Sequence, residues 1–259
     1  MSDYKSFMES ANKMADMAGE IALKYFRSQF DMQEKDDKTP VTVTDREIEE
    51  RMRAYLVRHH PDHGVIGEEF GTDRPDAEFV WVIDPIDGTK AFATGKPLFG
   101  TIIGLAHEGR PIAGVIDQAF TKERWIGVEN EGTTHNGQSV RVALRRNFDE
   151  VRFYTAAPEM FHGETFPHFE RLRTSVKWTL YGCDCYAYGL LSMGQIDLVM
   201  EQFLGLHDII GLVPIIKAAG GYVSDWAGHD ITLQSGNRII AASNKEIAAK
   251  ALSIINGPA

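Results

Sequence analysis

The apolar run Phe79-Val80-Trp81-Val82-Ile83 passes directly into Asp84-Pro85-Ile86-Asp87-Gly88-Thr89, and this junction constrains the chain more than any other stretch. The run reads as a buried strand. It delivers a pair of acids onto a turn punctuated by proline and glycine, with a hydroxyl right behind them. Carboxylates and exposed carbonyls at a strand end are oxygen ligands for a hard cation such as Mg²⁺. Backbone N–H groups around Gly88 and Thr89 are suited to hold a phosphate beside that cation. Acids for metal and amides for phosphate together point to phosphate-ester chemistry. The plainer reading of Asp84 and Asp87 is an Asx-type turn, but the apolar lead-in and the following Gly-Thr speak against it.

With 259 residues the chain can form one large domain or two closely packed ones. A formal net charge of −10 argues against nucleic acid as a partner. The same charge suits a metal enzyme, in which bound cations offset clustered acids. No apolar run approaches the roughly 20 residues that span a bilayer, so no membrane partner is expected. Met1–Asn12 is charged and amphipathic, unlike a signal peptide. The only cysteines, Cys183 and Cys185, form no disulfide framework and read as small buried residues; a cytoplasmic location is the expectation.

Phe7, Met8, Ala11, Met14, Ala15, Ala18, Ile21, Ala22, Tyr25 and Phe26 recur at helical spacing and predict an opening amphipathic helix. The charged stretch Asp31–Lys38 reads as an exposed loop, and Thr44-Asp45-Arg46-Glu47 as the capping box of a helix through about Arg58. His59–Gly64, with its cluster of histidines, reads as a solvated loop rather than a metal site. Gly100–Ala106 and Ile112–Gln118 form a hairpin that Trp125–Val128 continues. The second half alternates: a strand near Val151–Ala156, a helix near Asp184–Met193 and a strand at Ile196–Met200. A helix from Asp208 to Ala219, strands at Tyr222–Ser224 and Arg238–Ala242, and a helix from Lys245 follow. The predicted class is mixed α/β, divided softly into residues 1–143 and 144–259. Arg171, Arg173 and Lys177 form a basic patch, either a solvated face or a subunit contact.

Four acidic stations stand out: Asp45, Glu68-Glu69, Asp84/Asp87 and Asp208. Asp45 and Asp208 also read as simple helix-start acids. With Gly67-Glu68-Glu69, Trp81 to Thr89, and His207-Asp208 through Ala219-Gly220-Gly221, the chain resembles the inositol monophosphatase family over nearly its whole length. The resemblance implies a layered αβαβα sugar-phosphatase fold, two to three Mg²⁺ ions per active site and a homodimer. It implies that Glu68, Asp84 and the Ile86 carbonyl hold one cation, and Asp84, Asp87 and Asp208 a second. Thr89 with Glu68 would position and deprotonate the attacking water, Gly88 and Thr89 would cradle the phosphate, and Asp45 would serve a third cation or a supporting role. Glu69 is expected to support its neighbour, and Lys38 to approach the substrate. A non-catalytic relative would have lost a ligand or the threonine at position 89, and neither is missing.

Lys90-Ala91-Phe92 after the turn, Gly182-Cys183-Asp184-Cys185-Tyr186 and Ile196 to Glu201 resemble the histidinol-phosphate phosphatase branch of the family. The small phosphorylated substrate this implies carries an ammonium group, which Asp184 and Glu201 would hold through charge-assisted hydrogen bonds. Inositol phosphate or a related sugar phosphate is the alternative. A helix start for Asp184 and an exposed strand end for Glu201 are the bland readings.

Overall fold

The computed structural model describes residues 2–28, 32–34, 40–144 and 147–257, with backbone alone for 2–4, 32–34 and 40–42. Lys38 lies outside them. In chain order the first elements are α1 (Ser2–Tyr25), β1 (Met32–Glu34), β2 (Pro40–Thr42), α2 (Val43–His59), β3 (Gly64–Gly67), β4 (Gly71–Asp73) and β5 (Phe79–Asp87). Next come α3 (Thr89–Ala93), β6 (Gly100–His107), β7 (Arg110–Gln118), β8 (Glu123–Val128), β9 (Gly132–His135), β10 (Gln138–Val140), β11 (Arg152–Thr155) and α4 (Phe166–Thr174). The chain ends with β12 (Trp178–Tyr181), α5 (Asp184–Ser192), β13 (Leu198–Gln202), α6 (Leu206–Ile209), α7 (Leu212–Ala218), β14 (Tyr222–Ser224), β15 (Arg238–Ala242) and α8 (Lys245–Asn256).

Side-chain alternation along the strands sorts these elements into layers. In β5, Trp81 and Ile83 pack with α1 and α2, while Val80 and Val82 pack with α5 and α7. In β15, Ile239 and Ala241 turn toward α5 and α7, and Ile240 and Ala242 toward α4 and α8. The result is the layered αβαβα arrangement: a helix pair, an eight-stranded sheet, a middle helical layer, a five-stranded sheet and an outer helix pair. The large sheet runs β10-β9-β8-β7-β6-β5-β3-β4 and the smaller one β12-β11-β13-β15-β14. Glycines bring the middle layer close. A Cβ on Gly114 would strike the Gly211 carbonyl oxygen, and one on Gly127 the Cα of Ile215, so α7 lies directly on β7 and β8. Among the described residues no helix is long and apolar enough to cross a membrane.

Several local expectations need correction. Met32–Glu34 is a strand paired with Pro40–Thr42, not loop. No Thr44 capping box forms: α2 already begins at Val43, and the Thr44 hydroxyl is buried without a hydrogen-bond partner. The expected long helix after position 208 is two short ones, α6 starting at Leu206 and α7 at Leu212, so Asp208 sits inside the first turn. Arg171 is no free patch, because its guanidinium donates to the carbonyls of Ile254 and Gly257 at the end of α8.

The histidine loop is only partly solvated: His59, Pro61 and Asp62 are exposed, but His60 is buried and His63 half-buried. His60 and His63 stack 4.8 Å apart within a cluster containing Phe7, Phe79 and Trp81. Ser10 Oγ meets His60 Nε2 at 2.7 Å, and the Trp81 indole N–H donates to His63 Nδ1 at 3.0 Å. Burial, helped by His63 and His59, lowers the His60 pKa from 6.5 to about 4. The unfolded chain therefore takes up this proton before the native one does as pH falls from 6.5 to about 4, and stability drops across that window. We expect the loss of Tm over that range to be smaller in His60→Gln than in the parent protein, as measured by calorimetry. An equal loss in both would show that His60 is not the group responsible.

Candidate active site

Register places the first pair of acids. β3 and β5 run parallel with Gly67 opposite Ile83, so Glu68 and Asp84, the next residues, emerge side by side at one sheet edge. A register irregularity between Asp84 and Asp87 interrupts the β5–β6 ladder, as a bulge does where a side chain must be re-aimed. Gly88 follows with φ 79°, a left-handed conformation that glycine adopts without strain, and α3 starts immediately after it. From the middle layer, α6 contributes His207 and Asp208 to the same edge. One carboxylate or imidazole atom from each of Glu68, Asp84 and His207 lies within 4.8 Å of the others; the same holds for Asp84, Asp87 and Asp208. Asp84 is common to both groups.

Electrostatics is severe at this edge. Burial, then Glu68, Asp87, Asp208 and Asp45, raise the Asp84 pKa well above its ordinary value. Asp87 is raised by burial and by Asp184 and Asp208, partly offset by the Cys185 N–H that donates to its Oδ2. Asp208 is raised by burial, opposed by His207 and by the Gly205 N–H that donates to its Oδ2. Asp84 Oδ1 is buried with no hydrogen-bond partner. Like charges crowded out of water with an unsatisfied oxygen are the environment that divalent cations relieve, so the residues fit such ions. Ile86 presents its carbonyl to the Thr89 hydroxyl, which donates at 3.2 Å. Asp45 is buried in the first turn of α2, near enough for its charge to bear on Asp84.

Asp184 and Glu201 join the same place. A small cavity of about 30 Å³ is lined by Asp87, Asp184, Tyr188, Glu201 and Asp208, among others. Strand β13 runs two residues further than expected, so Glu201 lies within it, 3% exposed, rather than at an exposed strand end. Its carboxylate accepts from the Ala156 N–H and the Tyr188 hydroxyl, both at 2.8 Å, and burial raises its pKa to about 7. Asp184 has φ 44° and sits against Gly88, where a Cβ would come 2.9 Å from its Oδ2. Burial raises its pKa, while Lys96 and Lys90 oppose this. A far larger groove, about 690 Å³ between α1 and the β7–β8 pair, is not this site. Two of its three acids, Asp16 and Asp117, are already held by Arg124 at 2.8 and 2.6 Å.

Sequence reasoning missed three residues here. Glu49, fully buried on α2, accepts from the N–H groups of Glu69 at 2.7 Å and Phe70 at 3.1 Å and pairs with Arg53 at 2.7 Å. It thereby holds the turn that carries Glu68. Lys96 donates to the Gly182 carbonyl at 2.5 Å and so ties down the segment before Asp184. His207 enters the sequence reading only as the neighbour of Asp208 in the family motif. A helical Glu one turn before an Arg was the available hint for Glu49; nothing local marked the other two. Glu69 pairs with Arg46, whose guanidinium lies 3.8 Å from its carboxylate.

Comparison with known proteins agrees with this geometry. The sequence model of the inositol monophosphatase family matches residues 3–256, and the chain belongs to that family. It is thus a phosphatase of the inositol monophosphatase family, a group acting on small phosphorylated substrates. The chloroplastic bifunctional phosphatase IMPL2 of Arabidopsis thaliana is 43% identical over 94% of this chain and 71% of its own. A histidinol-phosphatase of Chlorobaculum parvum is 30% identical, covering 92% of each chain. Among solved structures, an inositol monophosphatase from Zymomonas mobilis superposes with TM-score 0.91 at 40% identity, over 98% of this chain and 99% of that one.

Raised carboxylate pKa values mean that, without cations, protons on Asp84, Asp87 and Asp208 stabilise the fold at low pH, and this is lost as pH rises through the raised values. Added MgCl₂ should therefore raise Tm more at about pH 8 than at about pH 5. Glu49→Gln should lower stability by about 3 kcal/mol and shrink the cation-induced rise, because Glu68 loses its support. A Tm unresponsive to Mg²⁺ at either pH would count against cation binding.

Proposed function

We propose that the protein hydrolyses L-histidinol phosphate to L-histidinol and phosphate, a step of histidine biosynthesis, with Mg²⁺ as cofactor. The observation that carries this reading is that Asp184 and Glu201 line one cavity together with Asp87 and Asp208. A substrate reaching the acids with its phosphate would bring its other end against two further carboxylates. An ammonium group suits them, and a sugar hydroxyl gains less from a charged partner. The histidinol-phosphatase of Chlorobaculum parvum supports the same substrate class.

Glu68, Asp84, the Ile86 carbonyl, Asp87 and Asp208 are assigned to the cations, with Asp84 shared and Asp45 near a third. When bound, divalent ions supply a water of lowered pKa and charge neutralisation for the phosphate and its leaving oxygen. The protein's own groups do the rest. Thr89, donating to the Ile86 carbonyl, keeps its oxygen lone pairs available to accept from the attacking water. Glu68 takes the proton, and the amides of Gly88 and Thr89 orient the phosphate. Asp184, in a segment tied by Lys96, and Glu201, fixed by Tyr188 and Ala156, meet the ammonium. The reading carries with it a homodimer in a reducing compartment; the free thiols of Cys183 and Cys185 support the latter.

Inositol 1-phosphate is the second reading, favoured by the likeness to the Zymomonas mobilis enzyme. Asp184→Ala should raise KM for histidinol phosphate by about tenfold or more, with KM for inositol 1-phosphate nearly unchanged. If histidinol phosphate turnover survives that change intact, ammonium recognition by Asp184 is wrong. Asp87→Asn should abolish phosphate release while circular dichroism stays native, and retained activity would remove Asp87 from the cation assignment.

A further inference from the structure

The two groups that share Asp84 differ in donor chemistry. Asp84, Asp87 and Asp208 offer oxygen only, whereas Glu68 and Asp84 are joined by the imidazole of His207. The ring's position has a structural cause. Gly205 leaves open the space it occupies, since a Cβ there would overlap Cε1 and lie 2.8 Å from Nδ1 and Nε2. From that cradle the ring also reaches Asp208 Oδ2, at 3.5 Å from Nε2. Asp84, which the two groups share, is buried, and its Oδ1 has no hydrogen-bond partner, so an oxygen is free for a cation beside the ring.

We propose that His207 is a further ligand beside Glu68 and Asp84, so that the cation position on the Glu68 side, which takes Mg²⁺ in the reading above, also accepts a borderline transition cation and the centre is asymmetric. This rests on the cation-site reading given above. Carboxylate, carbonyl and water suit Mg²⁺, while imidazole shifts a site toward metals such as Co²⁺ and Zn²⁺. The all-oxygen group keeps the preference for Mg²⁺. His207 thus sets which metal enters the Glu68 side.

The test uses cation binding by the metal-free full-length protein, not turnover. Co²⁺ is titrated by its visible absorption and Mg²⁺ by calorimetry in the parent, His207→Phe and Asp84→Asn proteins. Phenylalanine keeps an aromatic ring over Gly205 and removes the donor nitrogen. His207→Phe should weaken Co²⁺ binding by about tenfold or more and leave Mg²⁺ binding within about twofold. Equal Co²⁺ affinity in parent and His207→Phe, or an equal loss for both metals, would overturn the proposal. Asp84→Asn should weaken both metals. If it weakens neither, the cation-site reading itself fails; if it weakens both while His207→Phe changes nothing, only the role of His207 is refuted.

Discussion

The crowding of carboxylates at one edge of the large sheet is the constraint on which the rest of the molecule depends. Asp84 is buried against Glu68, Asp87, Asp208 and Asp45, all of the same sign. Such a group is unfavourable in any isolated piece of the chain, because desolvation and repulsion add. It persists because strands and helices that are stable for other reasons hold it in place. Trp81, Ile83, Val80 and Val82 bury the strand that leads to Asp84, on both of its faces.

Support for the cluster comes from three directions. α2 supplies Glu49, which fixes the backbone around Glu68 from below. α7 presses on Gly114 and Gly127, and this close approach sets where the preceding α6 and its Asp208 can lie. α5 begins at Asp184-Cys185 and donates its Cys185 N–H to Asp87, with Lys96 bracing the approach through Gly182. Each contact joins elements distant in sequence, so the site forms only when the layers assemble.

Much of this was legible in the chain. The apolar run ending in acids predicts β5, observed over Phe79–Asp87, and helical spacing predicts α1 with its buried face as observed. The failures share a cause. His60 and His63 lie in the expected loop, but they read as solvated because their polarity and the adjacent Pro61 suggest solvent. Their true partners, Phe7, Phe79 and Trp81, come from α1 and β5 and are invisible to a local window. The strand end near Glu201 was misplaced because polarity at Glu201 and Gln202 looked like exposure. In fact Glu201 is satisfied by Tyr188 and Ala156, and Gln202 donates to Met160 and Thr165. Tertiary hydrogen bonds made buried strand residues of what local polarity assigned to a surface.

By itself the sequence determined which residue types are available and in what order: strand, acids, glycine, hydroxyl, then a later acid before a glycine-rich turn. Periodicity and turn chemistry are local properties, so they survive reading one segment at a time. Only the tertiary structure decided which acids meet, that Asp84 belongs to two groups, and that His207 and Glu49 stand beside them. Those facts follow from parallel pairing of β3 with β5 and from the docking of α6 and α7 on the sheet. They rest on contacts between residues far apart along the chain, and spacing along the chain carries no record of such distances.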